Sequence, residues 1–131
     1  MLYEDLSHKI IGASMTVLND LKPGLDEKLY ERALVIELRT QGLKIEQQKR
    51  FSVVYRGEEI GYLVPDLIVE SSIIVDTKVV EDFSEAHMAQ MIGYLAITKL
   101  QLGLLLNFKH SKLQWKRVVR EKAANNPRPS A

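Results

Sequence analysis

The 131-residue chain is close to electroneutral, with 18 Lys and Arg against 17 Asp and Glu, and 46% of its residues are hydrophobic. That composition fits a single soluble domain with one ordinary core. The absence of cysteine excludes disulfides and thiolate metal sites. No apolar run nears the ~20 residues of a membrane span, and the acidic start lacks a signal-peptide pattern, so a cytoplasmic protein without membrane contact is expected.

Leu2, Leu6, Ile10, Val17 and Leu21 recur at helical spacing and predict a helix over residues 2–20, broken by Lys22-Pro23-Gly24. Asp26 opens a second helix that reaches about Thr40, and Gly42 ends it. Residues 44–55 alternate as one strand, Arg56-Gly57-Glu58-Glu59 turns, and Ile60–Val64 is the next strand. Asp66–Val69 and Ile73–Val79 predict a hairpin around Glu70-Ser71-Ser72. Ser84 caps a helix running to about Lys99. Leu102–Phe108 reads as a strand buried on both faces, and Leu113–Val119 as a last strand. Helices before and after a run of sequential strands predict an α/β (α+β) fold: one central mixed β-sheet flanked by helices. A single domain over 1–120 is expected, with 121–131 as a flexible tail.

Charge is uneven along this order. Residues 101–131 carry seven basic side chains and one acidic, among them Lys116 and Arg117, a local positive end able to meet phosphate. A solubilising end strand and tail would look the same.

Asp66, Asp76 and Lys78 interrupt an otherwise apolar, β-branched stretch, where unpaired charge is costly. Asp76 and Lys78 share a strand face. Asp66 joins them only if the hairpin loop has an odd length, as when Glu70 opposes Ile74 and Asp66 opposes Lys78; a two-residue loop turns it away. Two carboxylates, Asp66 and Asp76, with the Thr77 carbonyl could supply part of the oxygen shell of Mg²⁺ or Mn²⁺. Lys78 could orient a water or stabilise developing negative charge. For a lone Asp-x-Lys, an ion pair on a sheet face is the plainer explanation. Pro65-Asp66 and the following helix add to it. There His87, Gln90, Met91 and Tyr94 share one face, with Gln90 and Tyr94 able to meet phosphate, base or water. On the second helix Glu27, Tyr30 and Glu31 share a face, and Glu27 is a candidate third carboxylate.

With Gly24-x-x-Glu27-x-x-Tyr30, Asp66-Leu-Ile-Val-Glu70, Asp76-Thr-Lys78, His87-x-x-Gln90-x-x-x-Tyr94 and Gly103-Leu-Leu-Leu-Asn107-Phe108 in this order, the chain resembles the GxxExxY family of small bacterial proteins. That family is placed in the PD-(D/E)XK nuclease superfamily. The resemblance spans about Leu18 to Val119. It implies a restriction-endonuclease-like core and a catalytic set of Glu27, Asp66, Asp76, Lys78 and Gln90. The expected metal ligands are Glu27, Asp66, Asp76 and the Thr77 carbonyl, and the expected substrate contacts Tyr30, Tyr94, Lys116 and Arg117. Family members more often carry Glu-Leu-Lys where this chain has Asp76-Thr77-Lys78. The expected function is Mg²⁺-dependent hydrolysis of DNA phosphodiester bonds, an endonuclease-like hydrolase. The competing expectation is a non-catalytic nucleic-acid-binding or protein-interaction module that keeps the fold. The apolar first helix and the Leu102–Leu106 strand also leave room for a homodimer, though a monomer core explains them equally.

Overall fold

The computed structural model describes residues 3–120. Two helices come first, α1 (Glu4–Leu21) and α2 (Glu27–Thr40). Helix α1 buries Ser7, Ile10, Ser14, Val17 and Leu18, the three-four spacing of one helix face. It ends where Lys22 turns left-handed (φ 65°) ahead of Pro23. Helix α2 buries Tyr30, Glu31, Leu34, Val35 and Leu38.

A five-stranded sheet follows in the order β1 (Ile45–Gln47), β4 (Leu67–Val69), β5 (Ile73–Lys78), β6 (Leu102–Asn107) and β7 (Gln114–Val119). Only β5 and β6 are parallel, joined by helix α3 (Glu85–Thr98). The Ser84 hydroxyl accepts from the His87 backbone, and His87 Nδ1 accepts from Ser84 N–H at 3.0 Å, so His87 serves as a helix cap. Strand β6 is buried at every position. Leu102, Leu104 and Leu106 face α1 and α2, while Leu105 packs with Met91 and Leu95 of α3 on the opposite face. The result is a mixed sheet with helices on both sides, consistent with a restriction-endonuclease-like fold.

Residues 44–55 do not form one strand. Gln48 adopts φ 54°, which splits them into β1 and a second strand, β2 (Phe51–Tyr55). Strand β2 pairs with β3 (Glu58–Leu63) as a separate two-stranded ribbon. Its tip is a two-residue turn at Arg56 and Gly57, both at positive φ (49° and 81°), the conformation that matches strand twist. The tail expected at 121–131 lies outside the described residues.

Candidate active site

The hairpin β4–β5 decides whether the three charges meet. Val69 opposes Ile73, Ile68 opposes Ile74 and Leu67 opposes Val75, leaving Glu70, Ser71 and Ser72 as the loop. This is the odd-length loop that the site requires, shifted by one pair from the Glu70–Ile74 pairing. One step beyond Leu67–Val75, Asp66 therefore falls opposite Asp76 rather than Lys78. Glu70 and Ser71, both at positive φ (52° and 53°), form the turn, and Glu70 also extends the β1–β4 pairing: its carboxylate accepts from Lys44 N–H at 2.6 Å, and its own N–H donates to the Lys44 carbonyl at 2.9 Å. Ser72 closes the turn onto the Val69 carbonyl.

Asp66, Asp76 and Lys78 thus lie on the α3 face of the sheet. Lys78 Nζ pairs with Asp76 Oδ2 at 3.1 Å, and both side chains are largely buried. Asp66 makes no ion pair among the described residues. Burial, hydrogen bonding to Asp76 and the negative charges of Asp76, Glu31 and Glu27 push its carboxyl up to about 8. Asp66, the carboxylate without a cation partner, takes the proton.

Glu27, at the first turn of α2, reaches the same cluster. Burial raises its pKa most, with Lys78 opposing and Asp76 and Glu31 adding to the rise. Tyr94 of α3 is held above the usual phenol range, first by burial, then by the charges of Asp76 and Asp66. Gln90 is exposed on α3, one turn before Tyr94.

The Thr77 carbonyl is free of a ladder donor. Lys78 presents its carbonyl to β6, where Phe108 N–H meets it, so Thr77 presents its own toward β4. The register puts Pro65 there, and proline has no N–H to give.

Three expected substrate contacts are placed differently. Tyr30 is fully buried, stacked on Phe108 at 4.8 Å. Its hydroxyl donates to the Lys22 carbonyl at 2.6 Å and accepts from Leu25 N–H, so Tyr30 fastens the α1–α2 loop and is not a substrate contact. Lys116 and Arg117 point to opposite faces. Lys116 lies level with Asp76 through Leu105, two strands away or about 9–10 Å, on the site face and exposed. Arg117 opposes Leu104, on the sheet face that packs against α1 and α2.

Two residues named in the sequence were given no role there. Glu31 is 2% exposed, its carboxylate 3.0 Å from Lys28 Nζ, and its charge acts on both Glu27 and Asp66. Its signal was present: Glu31 occupies the stripe Glu31, Leu34, Val35, Leu38, where an acid is out of place unless it serves a buried site. Asn107 is fully buried opposite Lys78. Its amide accepts from Val80 N–H at 3.1 Å and donates to the Val80 carbonyl at 2.7 Å, which fixes the chain just beyond Lys78.

Chemically this is an all-oxygen donor set with more negative charge than its lysines offset, which suits a hard divalent cation. Among the described residues, however, no three carboxylate or imidazole groups converge into a ready-made cation cage. No helix among them is long and apolar enough to cross a membrane. Comparison with known families gives one match: the sequence model of the PD-(D/E)XK nuclease superfamily covers residues 4–118. No curated protein and no solved structure matches the chain.

Proposed function

The chain belongs to the PD-(D/E)XK nuclease superfamily, and from that premise we propose that it is a divalent-metal-dependent nuclease that hydrolyses DNA phosphodiester bonds. The observation that carries this reading is the placement of Asp66 against Asp76, with Lys78 on the same face and Asp66 holding a proton near neutral pH. A cation would be held by Asp66, Asp76 and the Thr77 carbonyl, with Glu27 nearby, and when bound would supply charge neutralisation and a more acidic water. Asp66 must release its proton to serve as a ligand. Lys78 is the cation of the chain placed to stabilise negative charge developing on phosphate. Tyr94 and Gln90 offer hydroxyl and amide groups from α3 to position the phosphate or a water. The pattern Gly24-x-x-Glu27-x-x-Tyr30 supports placement in the GxxExxY group, with Tyr30 contributing to the fold rather than to chemistry.

The test is cleavage of single- and double-stranded DNA with Mg²⁺ or Mn²⁺, with a chelator control. Cleavage that needs the metal and is lost in Lys78→Ala and Asp76→Asn supports the proposal. Absence of metal-dependent, Lys78-dependent cleavage across varied substrates overturns it.

A second reading, a non-catalytic nucleic-acid-binding or protein-interaction module, is favoured by one observation. Lys78 closes on Asp76 at 3.1 Å, a self-satisfied ion pair beside carboxylates that do not form a cage. Salt-dependent nucleic-acid binding without cleavage, unchanged in Asp76→Asn, would select this reading.

A further inference from the structure

The β2–β3 ribbon is the part of the molecule that the site leaves unexplained. Its inner face is anchored: Phe51 packs against the cluster of Met91 and Leu95. Beyond it Val54, Tyr55, Ile60 and Tyr62 are each more than half exposed, Tyr62 and Val54 on the outer face and Tyr55 at the tip on the Phe51 side. So much apolar surface on a small ribbon has no role in folding and marks a contact surface. The two exposed rings carry cations. The Arg50 guanidinium lies 4.7 Å from the centre of the Tyr62 ring, and that of Arg56 lies 5.5 Å from the centre of the Tyr55 ring, with its Nε donating to the Tyr55 hydroxyl. Of the two carboxylates on the ribbon, Glu59 is tied to the Ser52 hydroxyl at 2.6 Å.

Position matters as much as composition. Strand β3 runs through Val64 and Pro65 directly into Asp66, so Tyr62 lies only four residues from the acidic site. From that base the five residues of β2 extend about 16 Å, the length of several nucleotides.

We propose that the β2–β3 ribbon is a substrate arm that holds unpaired nucleotides beside the acidic site, Tyr62 stacking on a base from the face turned away from Phe51 and Tyr55 from the other face at the tip, while Arg50 and Arg56 meet the backbone phosphates. With a guanidinium over one face of each ring, the other face is left to stack, and an exposed ring can stack only on a base that is not paired. A groove-reading ribbon would instead present free polar side chains to base edges, and here the polar pair on the outer face, Ser52 and Glu59, is bonded to itself beside Tyr62. The inference rests on the nuclease reading but is separable from it, since the arm contributes no group to hydrolysis.

The experiment uses the full chain with Asp76→Asn, so that bound substrate is not cleaved. Binding of a labelled single-stranded oligonucleotide and of its duplex is followed by fluorescence anisotropy at low salt. The arm predicts tighter binding of the single strand. It predicts a loss of about tenfold or more in Tyr55→Ala/Tyr62→Ala, and little loss in Tyr62→Phe, which keeps the stacking face. In the chain with Asp76 intact, the same double variant should cleave a chromogenic phosphodiester too small to reach the arm at the unaltered rate. Undiminished oligonucleotide binding in the double variant overturns the arm and leaves the nuclease reading standing. Loss of self-association, with nucleic-acid binding unchanged, makes the ribbon a protein interface and also overturns it. Failure of the unmodified chain both to bind nucleic acid and to cleave the small phosphodiester removes both readings.

Discussion

Gly103→Ala tests how α3 is held over the site. Gly103 lies in β6 between Ile74 and Val118. A methyl group there would stand 2.3 Å from Met91 Sδ, 2.7 Å from Cγ and 2.9 Å from Cε. Normal carbon contacts are about 3.5–4.0 Å, so three linked atoms must each move by roughly 1 Å. Turning the terminal bond moves Cε but not Cγ. Met91 must change a rotamer nearer its backbone, or α3 must lift. Overpacking of this kind costs about 1–3 kcal/mol. The entropic advantage of alanine over glycine in a strand returns about 0.5–1 kcal/mol. The net expectation is destabilisation by about 1–2 kcal/mol, read as a lower denaturation midpoint at unchanged m-value. Met91→Ala alone should cost about 2–5 kcal/mol through the cavity it leaves. In the double variant the new methyl partly fills that cavity, so the two effects should fall short of additive by about 1 kcal/mol. Because α3 also carries Tyr94 and Gln90, Gly103→Ala should slow cleavage beyond what its stability loss explains. Additive effects, or a Gly103→Ala variant as stable as the unmodified chain, would refute the account of α3 seated directly on the β6 backbone.

In the fold the Asp66 carboxyl is pushed up to about 8, against about 4 for an ordinary aspartate, so the folded state binds the extra proton. That stability is fully present below about pH 4 and is lost as pH rises through about 8. In chelator, thermal stability should therefore fall across this window, and Asp66→Asn should flatten the decline and be the more stable form at pH 8; parallel profiles would count against the protonated pair. Tyr30→Phe removes the bond to the Lys22 carbonyl and the acceptor for Leu25 N–H. It should lower stability by about 1–2 kcal/mol while leaving oligonucleotide affinity unchanged, and an affinity loss would restore Tyr30 to the substrate side. Asn107→Leu strands both backbone groups of Val80. It should cost about 2–3 kcal/mol in chemical denaturation and slow cleavage through Lys78, whereas full stability would show that the amide does not hold the end of β5.

The features legible from sequence were those set by local periodicity. Helices α1, α2 and α3 and strand β6 lie close to where apolar spacing, Pro23, Ser84 and the Leu102–Phe108 run put them. The gathering of Asp66, Asp76 and Lys78 was legible only as a condition, because parity in a hairpin depends on one loop residue. The three-residue turn with Glu70 and Ser71 both at positive φ supplies the condition, and no local pattern announces that conformation. The split of residues 44–55 was hidden for a similar reason. Alternation continues across Gln48, and only its left-handed backbone turns the chain out of the sheet into the ribbon. Tyr30 read as a substrate contact because a polar-tipped aromatic reads alike whether it covers a core or meets a ligand.

The two functional readings part at Asp66, not at the Asp76–Lys78 pair. A scaffold that needed only an ion pair on its sheet would be complete with Asp76 and Lys78 at 3.1 Å. Asp66 adds to such a scaffold a partly buried carboxyl opposite a like charge, with Glu27 and Glu31 adding further repulsion. Asparagine there could donate a hydrogen bond to Asp76 without that repulsion. Groups held in unfavourable electrostatic surroundings cluster where function requires them, and the natural relief for this one is a cation that takes the place of the shared proton. The decisive comparison is therefore Asp66→Asn. On the nuclease reading it gives a more stable protein at pH 8 that no longer cleaves. On the module reading it is stabilising with no loss of any activity the unmodified chain displays.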